Sequence, residues 1–212
     1  YTLQFADGSG SDANSSNGVN NRGPIRNLIP LSFDERHRIT TVIDYRYGSG
    51  KEYNGPKIGN INIFEEFGIN LTTFLVSGAP YTRSTTPQSF GGSGFAGSIN
   101  GARLPWNFSA DLNIQKRFPV SISGDKENGK KSWFNAYFRV QNVFNTLNVI
   151  DLYKYSNDPR NDGFLESSLG QDNIRSVVNT GRDLQAFLDA YSWRMNAPGN
   201  FTLPRRMYVG VI

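Results

Sequence analysis

Residue types that support catalysis are scarce in this chain. The only histidine, His37, lies in a charged run at positions 34–38, and no Gly-x-Ser-x-Gly elbow accompanies it. A metal site built on imidazole needs more histidines or many carboxylates. The pair Glu65 and Glu66 precedes a strand and fits a solvated turn. We therefore expect that the protein is not an enzyme and that His37 is held by hydrogen bonds where a connector enters a strand.

A second candidate is the acidic turn at positions 158–164, where the sequence DPRNDGF suggests calcium binding. It fails the EF-hand template because its third and twelfth positions are Arg160 and Leu169. A turn closed by Asn, Asp and Gly is the better interpretation. Calcium coordination by Asp158 and Asp162 stays open, and the sequence predicts no cofactor and no other metal site.

The elements that would position any site are strands. At positions 106–118 apolar and polar residues alternate, with even positions apolar from Phe108 to Ile114 and odd positions polar from Asn107 to Gln115. A run of about 9–11 such residues crosses a bilayer as a tilted β-strand. The same pattern predicts six strands in all, at positions 1–6, 36–47, 68–82, 106–118, 133–145 and 206–212.

The predicted connectors alternate in length. Positions 7–34, 83–104 and 147–204 form three long connectors, whereas positions 49–62 and 119–132 form two shorter ones. Outer-membrane barrels have this asymmetry, with long loops outside the cell and short turns in the periplasm. The second, fourth and sixth strands would then run inward, and the C-terminus would be periplasmic.

The longest connector contains a predicted short helix over positions 183–193 with one apolar face. That face is formed by Leu184, Phe187, Leu188 and Tyr191. Large rings in the long connectors are good binding anchors, so we expect them to contact a ligand. These rings are Phe90, Phe95, Tyr153, Tyr155, Phe164, Tyr191 and Trp193.

Composition limits the class of protein. The 212 residues are 37% hydrophobic, 19% charged and 13% aromatic, which suits strands that are half polar. The net charge of +4 comes without a basic run interleaved with aromatics, so we expect no nucleic-acid partner. Because cysteine is absent, a disulfide framework and a thiolate zinc site are excluded. No apolar run approaches the about 18 residues that a transmembrane helix needs.

The predicted fold class is all-β, an antiparallel transmembrane β-barrel of which positions 1–212 form part of one domain. Both ends fall inside strand patterns, which predicts a section of a longer barrel. Inward polar residues would line the lumen and contact a plug domain or a solute, because unpaired charge is costly in a dry core. They are Asp44, Arg46, Asn70, Asp111, Asn113, Asn135, Tyr137, Arg139 and Gln141.

Aromatic residues cluster at the ends of the predicted strands. Such girdles are expected where a barrel meets the lipid headgroups, and ordinary packing in a soluble β-sandwich is the alternative. The residues are Tyr45, Tyr47, Phe64, Phe67, Trp106, Phe118, Trp133, Phe144 and Tyr208.

Six short stretches, taken in order, resemble the C-terminal barrel strands of Oar-like TonB-dependent outer-membrane receptors of Bacteroidetes. They are LSFDERH at 31–37, SGAPYT at 77–82, NGARLPW at 100–106, VQNVFNT at 140–146, NDPRNDGFL at 157–165 and NAPGNFTLPRR at 196–206. The resemblance spans nearly the whole chain, and the ordered set is more specific than any single stretch.

The resemblance implies a barrel of about 22 strands with a plugged lumen, of which this chain would supply the last six. It implies energised uptake of a large extracellular ligand, such as a peptide, protein or glycan. The expected partners are outer-membrane lipid, the protein's own plug domain, the TonB complex acting through that plug, and a surface lipoprotein. The chain contains neither plug nor TonB box, so this section could not transport by itself.

Three rival functions remain at this point. The predicted strands could form the wall of an outer-membrane barrel that is used in adhesion or secretion without import. A soluble all-β carbohydrate-binding module would need no detergent for extraction. An outer-membrane hydrolase is the least favoured, because the chain has no serine elbow, no cysteine and no second histidine.

Overall fold

The computed structural model describes residues 1–8, 28–88, 94–121 and 131–212. This part of the chain is mostly β, and its main element is a six-stranded antiparallel sheet. The strands of that sheet are β1 (Thr2–Leu3), β2 (His37–Arg46), β3 (Phe67–Val76), β4 (Asn107–Ser121), β5 (Lys131–Gln141) and β6 (Arg206–Val211). Their order in the sheet is their order in the chain, so the sheet is an up-and-down meander.

Each of the six predicted strand segments overlaps one strand of this sheet, although β3 and β5 begin before their predicted segments and β4 ends three residues after its own. The third predicted strand was too long, because β3 ends at Val76 and the chain then passes through Gly78. A β-carbon on Gly78 would collide with the backbone carbonyl of Leu104, so only glycine fits there. The fifth was also too long, because Asn142 and Asn145 adopt left-handed backbone angles (φ 55° and 53°) and turn the chain after β5.

The described parts of the connectors contain three two-residue ladders and two helices. The ladders pair Asp7–Gly8 with Ile29–Pro30, Lys57–Ile58 with Ile61–Asn62, and Pro80–Tyr81 with Ala102–Arg103. The helices are α1 (Ser168–Asn179) and α2 (Leu184–Met195), and single 3₁₀ turns cover Gly50–Glu52 and Pro198–Asn200. Within the described ranges no helix has the length and apolar character needed to cross a bilayer.

The predicted helix is confirmed as α2, and its start follows from a cap. The Asp183 carboxylate accepts hydrogen bonds from the backbone N–H groups of Gln185 and Ala186, which satisfies donors that a helix start leaves free. The predicted apolar face is the half-buried one, and Met195 extends it. Helix α1 was not predicted, because its first turn contains Gly170, a poor helix former.

The chain forms two compact units. Tyr1–Arg38, Val76–Asn107 and Leu147–Leu203 form the first, which we call the connector unit because it contains the described parts of all three long connectors. Ile39–Leu75, Phe108–Thr146 and Pro204–Ile212 form the second, the strand unit, which contains most of the sheet and the described parts of both short connectors.

Hydrogen bonds join the three long connectors inside the connector unit. The side-chain amide of Asn100 donates to the carbonyl of Pro30 (2.7 Å), which joins the second connector to the first. The hydroxyl of Tyr81 donates to the Asn157 side chain (2.9 Å), which joins the second to the third. Long connectors that the sequence separates by whole strands therefore form one folded body.

Candidate functional site

The cross-strand register gives the strand unit one polar face. In the β4–β5 ladder, Asn113 opposes Arg139 and Gln115 opposes Tyr137. In the β5–β6 ladder, Arg139 in turn opposes Tyr208. Residues opposite each other in a ladder point to the same side of a sheet, so these side chains share a surface.

The same face continues across β2 and β3. The Asn70 side-chain amide donates to the Asp44 carboxylate (3.1 Å), and Arg46 donates to the same carboxylate (2.8 Å). A β-carbon placed on Gly68 of β3 would lie 3.4 Å from side-chain atoms of both Arg46 and Gln115. These residues of β2 and β4 therefore lie on the same side of the sheet. All nine residues predicted to line a lumen therefore lie on this polar face.

Charge is unevenly distributed over the polar face. Asp44 and Arg46 neutralise each other, and Arg117 lies 3.8 Å from Glu66. Arg139 instead places its guanidinium 6.0 Å from the ring centre of Tyr137, a cation–π contact. That ring covers Gly210 of β6, because a β-carbon there would overlap the Tyr137 side chain.

The opposite face of the strand unit is apolar. Leu112 opposes Val140, and Ile114 opposes Phe138. In the β5–β6 ladder Phe138 opposes Val209, which is 80% exposed. The apolar face also contains Ile39 and Ile43 of β2, Ala136 of β5, and Met207 and Val211 of β6. A contiguous exposed apolar surface of this kind needs an apolar environment or partner.

Aromatic rings contact one another at both ends of the apolar face. At one end Phe108 lies against Phe144, with ring centres 5.8 Å apart. At the other end Phe118 stacks on Phe134 at 4.8 Å, and Tyr47 contacts Tyr45 at 5.0 Å. We call these two groups the aromatic bands. Two of the predicted girdle residues were wrongly assigned, because the register puts Trp133 and Tyr208 on the polar face.

In the connector unit a buried ion pair ties the ends of connectors together. The carboxylate of Asp34 is fully buried and accepts hydrogen bonds from Arg103, from Arg36 (3.3 Å) and from the backbone N–H of Ala6 (3.1 Å). Burial alone would raise the pKa of Asp34, but these donors and the charge of Arg103 outweigh it and lower that pKa. Arg103 also donates to the carbonyl of Asp34 (2.5 Å), which fixes its orientation.

A second buried cluster fills the longest connector. Phe164 is only 4% exposed and lies 5.7 Å from the ring of Tyr191. The Tyr191 hydroxyl donates to the buried carboxylate of Asp162. Burial and this carboxylate raise the pKa of Tyr191, so the phenol stays protonated as a donor.

The rings that were predicted to contact a ligand differ in how exposed they are. Phe164 packs inside the connector and offers little surface, which corrects its assignment as an exposed anchor, whereas Tyr191 is half-buried. Trp193 is 83% exposed, and Phe95 is also exposed. Tyr153 and Tyr155 are half-buried, and Phe90 lies outside the described residues.

The candidates for other chemistry form ordinary structural contacts. His37 starts β2 as expected, hydrogen-bonded through Nδ1 to the Tyr1 hydroxyl (2.8 Å) and stacked against Trp106 at 5.7 Å. Asp158 accepts the backbone N–H groups of Arg160 (2.6 Å) and Asn161 (3.1 Å), as in the predicted turn. In the described parts of the chain no three His, Cys, Asp or Glu side chains group as metal ligands.

Sequence reasoning missed two residues of the polar face and one of the apolar face. Arg117 and Arg206 extend the polar face, since Arg117 opposes Asn135 and Arg206 opposes Gln141. Extending the polar–apolar alternation of β4 beyond Gln115 would have predicted Arg117 on the polar face. Lys116 interrupts the apolar face, where it opposes Ala136.

No protein-family model matches the chain, and no similar curated protein or solved structure was found.

Proposed function

We propose that the chain is a wall section of an outer-membrane β-barrel receptor of the TonB-dependent kind, which takes up a large extracellular ligand such as a peptide, protein or glycan. The observation that carries this proposal is the two-faced meander of the strand unit. One face is mainly polar, and the other is mainly apolar between two aromatic bands, with Lys116 as an interruption. A lipid-facing barrel wall around a wet lumen needs this combination.

The spacing of the aromatic bands supports a membrane setting. Phe108 and Phe118 are ten positions apart in β4. At a rise of about 3.4 Å per residue they are about 34 Å apart along the strand, which a tilt of about 40° reduces to about 26 Å in depth. Outer-membrane barrels have an apolar band about 25 Å tall between their girdles.

The two remaining surfaces take roles that follow from this setting. The polar face would line the lumen and contact the plug domain, on which the TonB complex acts from the periplasm. The connector unit would form part of the extracellular vestibule, where Trp193 and Phe95 offer exposed rings to a ligand. The short connectors would lie on the periplasmic side.

Single-cysteine labelling in intact cells tests the topology, because the chain has no cysteine of its own. The full-length protein, with any cysteine outside these 212 residues replaced by serine, would carry Trp193→Cys in a long connector or Lys57→Cys in a short one. A membrane-impermeant maleimide should label Trp193→Cys in intact cells and Lys57→Cys only after the outer membrane is permeabilised. Equal labelling of both in intact cells, or recovery of the protein without detergent, refutes the barrel and favours a soluble module.

A third variant separates a receptor from a barrel that does not import. Asn113→Cys lies on the polar face, next to the surface assigned to the plug. In a TonB-dependent receptor its labelling rate should rise when the TonB complex is energised and fall when the proton gradient is collapsed. A labelling rate that is the same with and without the proton gradient refutes active uptake and favours an adhesion or secretion barrel.

A further inference from the structure

A cleft opens at the short-connector end of the strand unit because β4 and β5 are longer than β3. The backbone N–H of Arg117 donates to the carbonyl of Glu66, which immediately precedes β3. The β4–β5 ladder continues past this point through the pairs Phe118–Phe134 and Pro119–Trp133. The connector between β2 and β3 lies beside this projecting ladder, and the space between them is about 460 Å³.

The lining of this cleft combines both signs of charge. Two cations, Lys116 and Arg117, and two carboxylates, Glu65 and Glu66, give a formal sum of zero. The volume falls in the range of about 300–1,000 Å³ that small-molecule sites occupy. An anion alone would meet the two carboxylates, and a cation alone would meet the lysine and the arginine. A ligand that carries both charges matches the lining.

The charged groups are held in place by the connector. Hydrogen bonds from the backbone N–H of Gly50 (2.6 Å) and the Asn62 side chain (3.2 Å) lower the pKa of Glu65, so it is ionised at neutral pH. The Lys116 ammonium donates to the carbonyl of Ile63 (2.5 Å) and lies 5.2 Å from the ring centre of Phe118. One of its three N–H donors is used by that carbonyl, which leaves others for a ligand.

The cleft also borders the apolar face. Lys116 projects from that face opposite Ala136, and the stacked rings of Phe118 and Phe134 form the adjoining aromatic band. A ligand held by its charged part in the cleft would therefore have apolar surface beside it. An amphiphile satisfies both conditions, and a small polar solute satisfies only the first.

We propose that this cleft binds the zwitterionic headgroup of a phospholipid, with the phosphate at Lys116 and Arg117 and the ammonium at Glu66. The acyl chains would lie along the apolar face toward Ile114 and Phe138. Phosphatidylethanolamine fits because its ammonium donates hydrogen bonds to carboxylates, whereas phosphatidylglycerol has no cation to place there. The inference rests on the proposed membrane location of the protein.

Native mass spectrometry of the full-length protein in mixed micelles of phosphatidylethanolamine and phosphatidylglycerol tests the site. The wild type should retain phosphatidylethanolamine in preference to phosphatidylglycerol. Lys116→Gln and Glu66→Gln should each reduce that retention about tenfold, the effect of losing one charge-assisted hydrogen bond. Lys51→Gln and Glu52→Gln are matched controls, because both residues lie in the same connector but do not line the cleft, and they should retain the lipid normally.

Three outcomes would overturn the proposal. The first is equal retention of the two lipids by the wild type, and the second is unchanged retention in both cleft variants. The third is binding of soluble glycerophosphoethanolamine as tight as that of the lipid, which would identify a free zwitterion as the ligand. A protein that fails the maleimide experiment refutes the membrane setting itself, whereas one that passes it and shows any of these three outcomes refutes only the lipid site.

Discussion

Two adjacent residues of β2 offer a direct test of which face meets lipid. Ile43 lies on the apolar face and Val42 on the polar face, yet both are β-branched aliphatic residues with similar exposure, 55% and 61%. We predict that Ile43→Arg strongly destabilises the folded protein in a membrane and that Val42→Arg does not. In water, two such exposed positions would tolerate arginine equally.

The magnitude follows from the position of Ile43. It is four positions from Tyr47 in the aromatic band, or about 14 Å along the strand and about 10 Å in depth at a tilt of about 40°. Half of a 25 Å band is about 12 Å, so in the proposed membrane setting Ile43 would lie close to the midplane. Arginine there costs about 2–4 kcal/mol, a factor of about 30 to 900 in the folding equilibrium. An exposed position in water changes stability by no more than about 0.5 kcal/mol.

Refolding of the full-length protein from urea into lipid vesicles measures the free energy of folding of both arginine variants under the same conditions. The folded fraction is read from the gel mobility of unheated samples, and Ile43→Ala and Val42→Ala correct for the lost aliphatic side chain. If the two arginine variants differ by less than about 0.5 kcal/mol after that correction, the two faces are equivalent and the lipid-facing assignment is refuted.

Three further predictions concern the connector unit. Asp34→Asn should cost about 3 kcal/mol, because it removes the buried carboxylate that Arg103 and Arg36 share. Since the folded-state pKa of Asp34 is lowered, this difference should persist above its usual pKa of 3.8 and vanish in acid titrations as pH falls through the folded value. Gly78→Ala should lose about 1–3 kcal/mol in urea unfolding, whereas Gly199→Ala, which faces open space, should be neutral. Tyr191→Phe should lose about 1–2 kcal/mol by removing one donor from the buried Asp162 carboxylate, which keeps the backbone N–H of Phe164, and hydrogen exchange in α2 should speed up accordingly.

The strands of the sheet were predictable because period-2 alternation is a local signal. Side chains of β4 and β5 alternate so regularly that both the strands and the side on which Asn113 and Arg139 lie follow from counting. Helix α2 was predictable for the same reason, since an aspartate cap and an apolar stripe occur within twelve residues. Local patterns of this kind need no knowledge of the partner strand.

Features that depend on distant partners could not be predicted. The burial of Asp34 depends on Arg103, which is 69 positions away across two strands. Aromatic content alone did not show that Phe164 would be buried against the ring of Tyr191. The cleft beside Lys116 arises from the unequal lengths of β3 and β4, and no single segment encodes that difference.

A two-faced sheet by itself does not distinguish a barrel wall from one layer of a soluble sandwich, because both alternate polar and apolar residues. In a sandwich a second layer covers the apolar face, and the described part of the strand unit contains no such layer: Ile43 and Val209 are exposed, and both helices belong to the connector unit. The apolar face also ends in aromatic bands whose spacing matches the apolar thickness of a bilayer. Packing in a sandwich core does not require rings at the two ends of a face. In the proposed membrane setting, lipid would cover the apolar face and headgroups would meet its aromatic bands, and arginine at Ile43 is the substitution that this setting makes most costly.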